Sequence, residues 1–161
     1  MFSDDLIRRA AEILETARAE GVKIVTAESC TGGLVAGLLT EVAGSSDVVE
    51  RGFVTYSNDA KTDLLGVPPG TLDAHGAVSR QTALAMAAGA LVNSRADLAV
   101  AVTGIAGPGG GSLEKPVGLV HFAAARGDAM IHREERFGAI GRDRVRLKAV
   151  ETALALLSRL V

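Results

Sequence analysis

The sequence predicts an α/β fold: a mixed, mostly parallel sheet of about five strands with helices on both faces. Three observations predict it. Helical and strand patterns alternate over the first two thirds of the 161 residues, the order that builds parallel sheets. Two strand-like runs then follow each other across Arg126-Gly127-Asp128, which adds an antiparallel hairpin. Nearly half the residues are apolar, yet Trp, Tyr and Phe total only five. The core is therefore aliphatic, as suits helices packed closely on a sheet.

The elements follow in order. Residues 4–20 read as a helix, with Leu6, Ala10, Ile13, Leu14 and Ala17 on one face and Gly21 as the stop. "VKIVTA" (22–27) is a short strand with little alternation, as in a buried position. Residues 31–42 read as a helix that ends at Gly44, and "VVERGFVTYS" (48–57) as a strand. A short helix over 58–65 stops at Gly66, "VPPGTLDAHGA" is a loop, and Ser79 caps a helix that runs to about Asn93. "DLAVAVTG" (97–104) is another buried strand, and "IAGPGGGSLEKP" (105–116) a long loop. "VGLVHFAAA" and "AMIHREERF" form the hairpin, and a last helix runs from near Gly141 to about Leu160. The length predicts a single domain, 1–161.

Composition excludes several classes of function. A net charge of −2 gives no electrostatic case for nucleic-acid binding. One cysteine, Cys30, excludes an internal disulfide and any multi-thiolate metal site. The three histidines are scattered, so no metal is expected. The charged start lacks the apolar core of a signal peptide, and no apolar run reaches transmembrane length. A cytoplasmic protein is the expectation.

In open α/β sheets ligands bind at the carboxyl ends of the strands. Three polar or glycine-rich segments fall there: "AESCTGG", "YSNDAK" and "TGIAGPGGG". The first reads either as a helix start, capped by Ser29 or Thr31, or as a strand-to-helix turn presenting a reactive hydroxyl beside free N–H groups. It is not a G-x-S-x-G elbow, because its glycines follow the serine. A serine nucleophile needs a base. His75, His121 and His132 make no evident triad. Lys61 lies near a helix N-terminus, where the dipole and burial both favour the neutral amine; its other reading is a solvated surface lysine. Tyr56 reads as a packing aromatic or as a proton relay between serine and lysine. Cys30 competes as nucleophile, since a helix N-terminus lowers a thiol's pKa, or is a small buried residue behind the turn. The glycine loop matches neither a Rossmann nor a P-loop pattern. "GRDRVR" (141–146) opens the last helix as a solvated basic face or an anion site.

Taken together, "TAESCTGG", "GSSDVVERGFVTYSNDAK", "HGAVS", "TGIAGPGGGSLEKPVG" and "GRDRVR" resemble the CinA C-terminal domain family, over residues 26–146. The resemblance implies a three-layer α/β/α fold. It implies an amidohydrolase that converts nicotinamide mononucleotide (NMN) to nicotinic acid mononucleotide and ammonia, without metal or cofactor, in pyridine-nucleotide salvage. It places the family's catalytic serine, tyrosine and lysine on Ser29, Tyr56 and Lys61. N–H groups around Thr31, Gly32 and Gly33 are then expected to hold the oxyanion. The loop from Thr103 through Gly104 and Gly107 to Gly109 would wall the ribose or ring, and Arg142 would meet the phosphate, with Lys115 as its competitor. Arg142 and Arg146 align with family arginines, whereas Arg144 does not. In many bacteria the family's domain follows a larger one resembling molybdopterin-binding proteins; this chain, beginning at the first helix of the deamidase domain, looks like the stand-alone form. The expected partner is the small-molecule substrate, with no nucleic acid and no membrane; a homo-oligomer is left open. Two other classes stay open: a non-catalytic pyridine-nucleotide or ADP-ribose binding module, and a Cys30-dependent hydrolase of another small amide.

Overall fold

The structure is a computed structural model that describes residues 2–161. Its helices are α1 (Asp4–Glu20), α2 (Leu34–Glu41), α3 (Asn58–Leu65), α4 (Pro69–His75), α5 (Arg80–Val92) and α6 (Arg142–Leu160). Its strands are β1 (Ile24–Glu28), β2 (Val49–Val54), β3 (Leu98–Gly104), β4 (Leu119–Arg126) and β5 (Ala129–Arg136). They form one five-stranded sheet in the order β2-β1-β3-β4-β5. β1 pairs parallel with β2 and β3, while β4 runs antiparallel to both β3 and β5. Four of the five strands therefore point the same way, as the α/β reading expects.

Alternation along the strands builds two cores. Ile24, Val100, Val102 and Phe122 face α1, α2 and α6, where Leu14, Leu38 and Leu154 pack on them. Val25, Ala27, Ala99, Ala101 and Ala123 face the other way, against Ala83, Met86 and Ala90 of α5 and Leu65 of α3. The small alanines on both sides let α5 lie close to the sheet. Gly89 then lets α3 lie close to α5: a Cβ there would sit 1.9 Å from the Leu65 carbonyl oxygen. This approach fixes where α3 stands relative to the end of β1, and so where Lys61 points.

Two expectations are corrected. "VPPGTLDAHGA" contains the helix α4, with proline at its first turn and Pro68 as N-cap. Proline is pre-set for a helix start, but none of the α4 residues is buried, so no apolar stripe marks it in the sequence. The helix expected from residue 31 begins at Leu34, because Gly33 is its N-cap in the left-handed region at φ 95° and residues 31–33 form a turn.

Candidate active site

The site lies at the carboxyl ends of β1 and β3. The Ser29 N–H still donates to Val102 O at 2.9 Å, so the sheet fixes the serine's backbone. Successive side chains leave a strand on opposite faces, which sends Ser29 toward α3 and Glu28 toward α2. Ser29 is nearly buried, and its Oγ lies 3.0 Å from Lys61 Nζ.

Lys61 stands in the first half of α3, whose start is set by Ser57, the Oγ of which accepts the Ala60 N–H. It is 1% exposed. Its amine also donates to Thr55 O at 2.8 Å and, more weakly, to Ser57 O at 3.5 Å. Burial lowers its pKa from the ordinary 10.5, because the charged form is desolvated. Among the described residues no carboxylate stands at ion-pair distance to oppose that effect. A neutral amine has two N–H donors and one lone pair. Two carbonyls and one hydroxyl surround Nζ: an ammonium donates to all three, and a neutral amine can give its N–H groups to the carbonyls and accept from the serine O–H.

Tyr56 does not stand between serine and lysine. It is 60% exposed, and its hydroxyl accepts from Arg142 Nη2 at 2.7 Å. Of the two routes open to the serine proton, directly to Lys61 or through Tyr56, the 3.0 Å contact favours the direct one. Arg142, the first residue of α6, also donates from Nη1 to Gly107 O at 2.9 Å. It thus links the end of β2 to the glycine loop across the mouth of a cleft of about 270 Å³. Ser29, Tyr56, Lys61, Thr103, Gly107 and Arg142 line that cleft, and Gly104 adjoins them. The Thr103 hydroxyl is turned to Ala77 O at 2.7 Å. Lys115 instead donates to the His75 carbonyl and is not among the lining residues.

Two of the three expected oxyanion donors are engaged elsewhere in this structure. Gly32 N–H donates to Ser29 O at 3.0 Å, and Gly33 N–H to Glu28 Oε2 at 3.1 Å. Both are occupied. Among the described residues the Cys30 and Thr31 N–H groups are left without a backbone acceptor, so Thr31 keeps its candidacy and Cys30 joins it by its main chain. The Cys30 thiol is a poor nucleophile: burial pushes its pKa up to about 12, where thiolate is scarce.

Glu28 escaped sequence reasoning, and Arg146 was aligned with a family arginine but given no role. Glu28 is fully buried and accepts from the N–H groups of Gly33, Val35 and Ala36. Arg146 donates to the carbonyls of Cys30 at 3.1 Å and Thr31 at 3.0 Å. A signal for Arg146 was present: it lies four residues after Arg142, on the same helix face, whereas Arg144 is on another face and makes none of these contacts. None of the histidines lines the cleft. His121 Nδ1 and His132 Nε2 meet at 2.9 Å on the hairpin, and His75 is exposed. Among the described residues no group of three His, Cys, Asp or Glu side chains is placed to share a metal, and no helix is long and apolar enough to cross a membrane.

The model of the CinA C-terminal domain matches residues 7–161. Nicotinamide-nucleotide amidohydrolase PncC of Escherichia coli K12 is 50% identical over 159 residues, which are 98% of this chain and 95% of that protein. A putative competence-damage inducible protein of Caldicellulosiruptor bescii is 55% identical over 135 residues, 84% of this chain but 32% of the longer relative. Among solved structures, the competence/damage inducible protein CihA of Agrobacterium tumefaciens superposes with a TM-score of 0.98 at 60% identity, over 99% of this chain and 98% of that one.

Proposed function

This chain belongs to the CinA C-terminal domain family, and from that premise we propose that it is a nicotinamide-nucleotide amidohydrolase, converting NMN to nicotinic acid mononucleotide and ammonia in pyridine-nucleotide salvage. The observation that carries the reading is the buried Lys61 amine 3.0 Å from Ser29 Oγ. The end-to-end similarity to PncC, named as acting on a nicotinamide nucleotide, supports the substrate class.

The geometry supports the following chemistry. Neutral Lys61 takes the proton of Ser29 as Oγ attacks the carboxamide carbon. The new oxyanion is held by the N–H groups of Cys30 and Thr31. Lys61, now an ammonium, gives its proton to the amide nitrogen; the C–N bond breaks and ammonia leaves an acyl-serine. Water then attacks, Lys61 takes its proton, and Ser29 Oγ is released and reprotonated. The Ser29–Lys61 pair needs no relay, so Tyr56 has a different part: its hydroxyl holds one arm of Arg142. A guanidinium has five N–H donors, and Arg142 commits two of them to Tyr56 and Gly107. Three remain for the 5′-phosphate. Thr103, Gly104 and Gly107 wall the ribose and ring. A cleft of about 270 Å³ lies at the small end for ligand sites, which favours a mononucleotide over a dinucleotide.

The test is ammonia release by the purified protein, with chelator present, from NMN, NAD and nicotinamide side by side. The proposal expects release from NMN far above the other two. NMN binding without ammonia would leave a binding module instead.

A further inference from the structure

Glu28 has no part in the chemistry above, yet it is fully buried and directly precedes Ser29. Its Oε2 accepts the N–H groups of Gly33 at 3.1 Å and Val35 at 3.0 Å, and its Oε1 accepts that of Ala36 at 2.9 Å. These are donors that a helix start leaves without intrahelical partners. The N-cap of α2 is Gly33, so no side chain at the cap itself can satisfy them. A carboxylate also has the favourable sign for that end of the helix dipole, and bonds to it are charge-assisted. From the other side, Arg146 holds the carbonyls of Cys30 and Thr31. The turn is thus gripped by its N–H groups on one side and its carbonyls on the other.

We propose that Glu28 is a positioning residue for the nucleophile, a role that rests on the amidohydrolase reading of Ser29. Its carboxylate ties the start of α2 to the end of β1. That tie fixes the direction of Ser29 Oγ toward Lys61 and aims the Cys30 and Thr31 N–H groups. It has a second consequence. The positive end of α2 is already answered by Glu28, so the oxyanion is stabilised by the turn's free N–H groups and the Lys61 ammonium rather than by the helix dipole.

Glu28→Gln tests this with little change in size. The amide keeps one acceptor oxygen and turns a donor toward the N–H groups on the other side. The kcat for NMN falls about tenfold to a hundredfold, the scale of a small misplacement, while KM stays within about twofold. Amide exchange at Gly33, Val35 or Ala36 accelerates while β3 amides keep their wild-type rates. Ile13→Val, a mild loss in the same core, serves as the stability control and leaves kcat unchanged. Glu28→Asp keeps the charge but loses reach; it shows the same kcat loss, and it carries the test if the Gln variant does not fold. Wild-type kcat in Glu28→Gln, unchanged exchange at all three amides, or a kcat loss matched by Ile13→Val overturns the proposal. Wild-type protein that releases no ammonia from NMN removes the amidohydrolase reading instead, and the exchange comparison still decides whether Glu28 anchors the turn.

Discussion

The turn at residues 29–33 and the loop at 105–116 face each other across the cleft, and they are held very differently. In the turn, Ser29, Gly32 and Gly33 have bonded N–H groups, and the Cys30 and Thr31 carbonyls are taken by Arg146. The loop is tied where it enters and leaves, through Ile105 N–H to Leu119 O and Gly118 N–H to Ile105 O, across the cleft by Arg142, and in its second half by the Ser112–Lys115 turn and the Lys115 contact to the His75 carbonyl. Gly109, Gly110 and Gly111 make no backbone hydrogen bond among the described residues, and Leu113 is fully exposed. On the proposed reading the turn carries bond-breaking, which needs atoms fixed to a fraction of an ångström. On the same reading the loop carries recognition, which tolerates a backbone that adjusts to its ligand. Changes on the turn side should therefore act on kcat, and changes on the loop side on KM.

The largest effect is expected for Lys61→Arg, which keeps a cation but cannot accept a proton at working pH. NMN turnover should fall about 10²–10⁴-fold, the range for loss of a general base, and Ser29→Ala should fall at least as far. Cys30→Ala should keep most activity, since its thiol stays protonated. Steady-state ammonia release on the three variants checks this; a turnover loss in Cys30→Ala larger than that in Ser29→Ala would move the nucleophile to the thiol.

Arg142→Ala should act on the recognition side. Loss of a charge-assisted contact to phosphate is worth ~1.5–3 kcal/mol, or roughly ten- to a hundredfold in affinity. KM for NMN should rise by that factor, while slow hydrolysis of the nucleoside, which lacks the phosphate, hardly changes. Equal losses on both substrates would take Arg142 out of phosphate recognition. The smallest effect is expected for Tyr56→Phe. It removes one acceptor from Arg142 and nothing from the Ser29–Lys61 contact, so KM should rise about threefold or less. A fall in kcat comparable to that of Lys61→Arg would restore the relay that the geometry argues against.

Much of this was legible in the sequence, for local reasons. The stop of α3 at Gly66 and its start after the strand run were read from the sequence, which placed Lys61 near a helix start; that Ser57 caps it is added by the structure. The strands β1 and β3 follow from short apolar runs, the second of which ends in Gly104 and opens the glycine loop. What stayed hidden depends on tertiary contact. α4 buries no residue, so periodicity had nothing to register. Glu28 binds donors five to eight residues ahead of it, a partnership that neither strand nor helix spacing encodes. Tyr56 and Arg142 meet across 86 positions, which explains why a relay and a separate phosphate arginine looked independent when they touch.

The central claim is that a buried, neutral Lys61 removes the Ser29 proton directly. The measurement that tests it most directly is the pH dependence of kcat/KM for NMN. Only the neutral amine is active, so the rate should rise about tenfold per pH unit while Lys61 is mostly protonated, then level off. Because burial lowers the lysine's pKa, the midpoint should fall below the ordinary 10.5, and Lys61→Arg should lack the rising limb. A rising limb with its midpoint at or above 10.5, or a limb that survives in Lys61→Arg, would contradict the account.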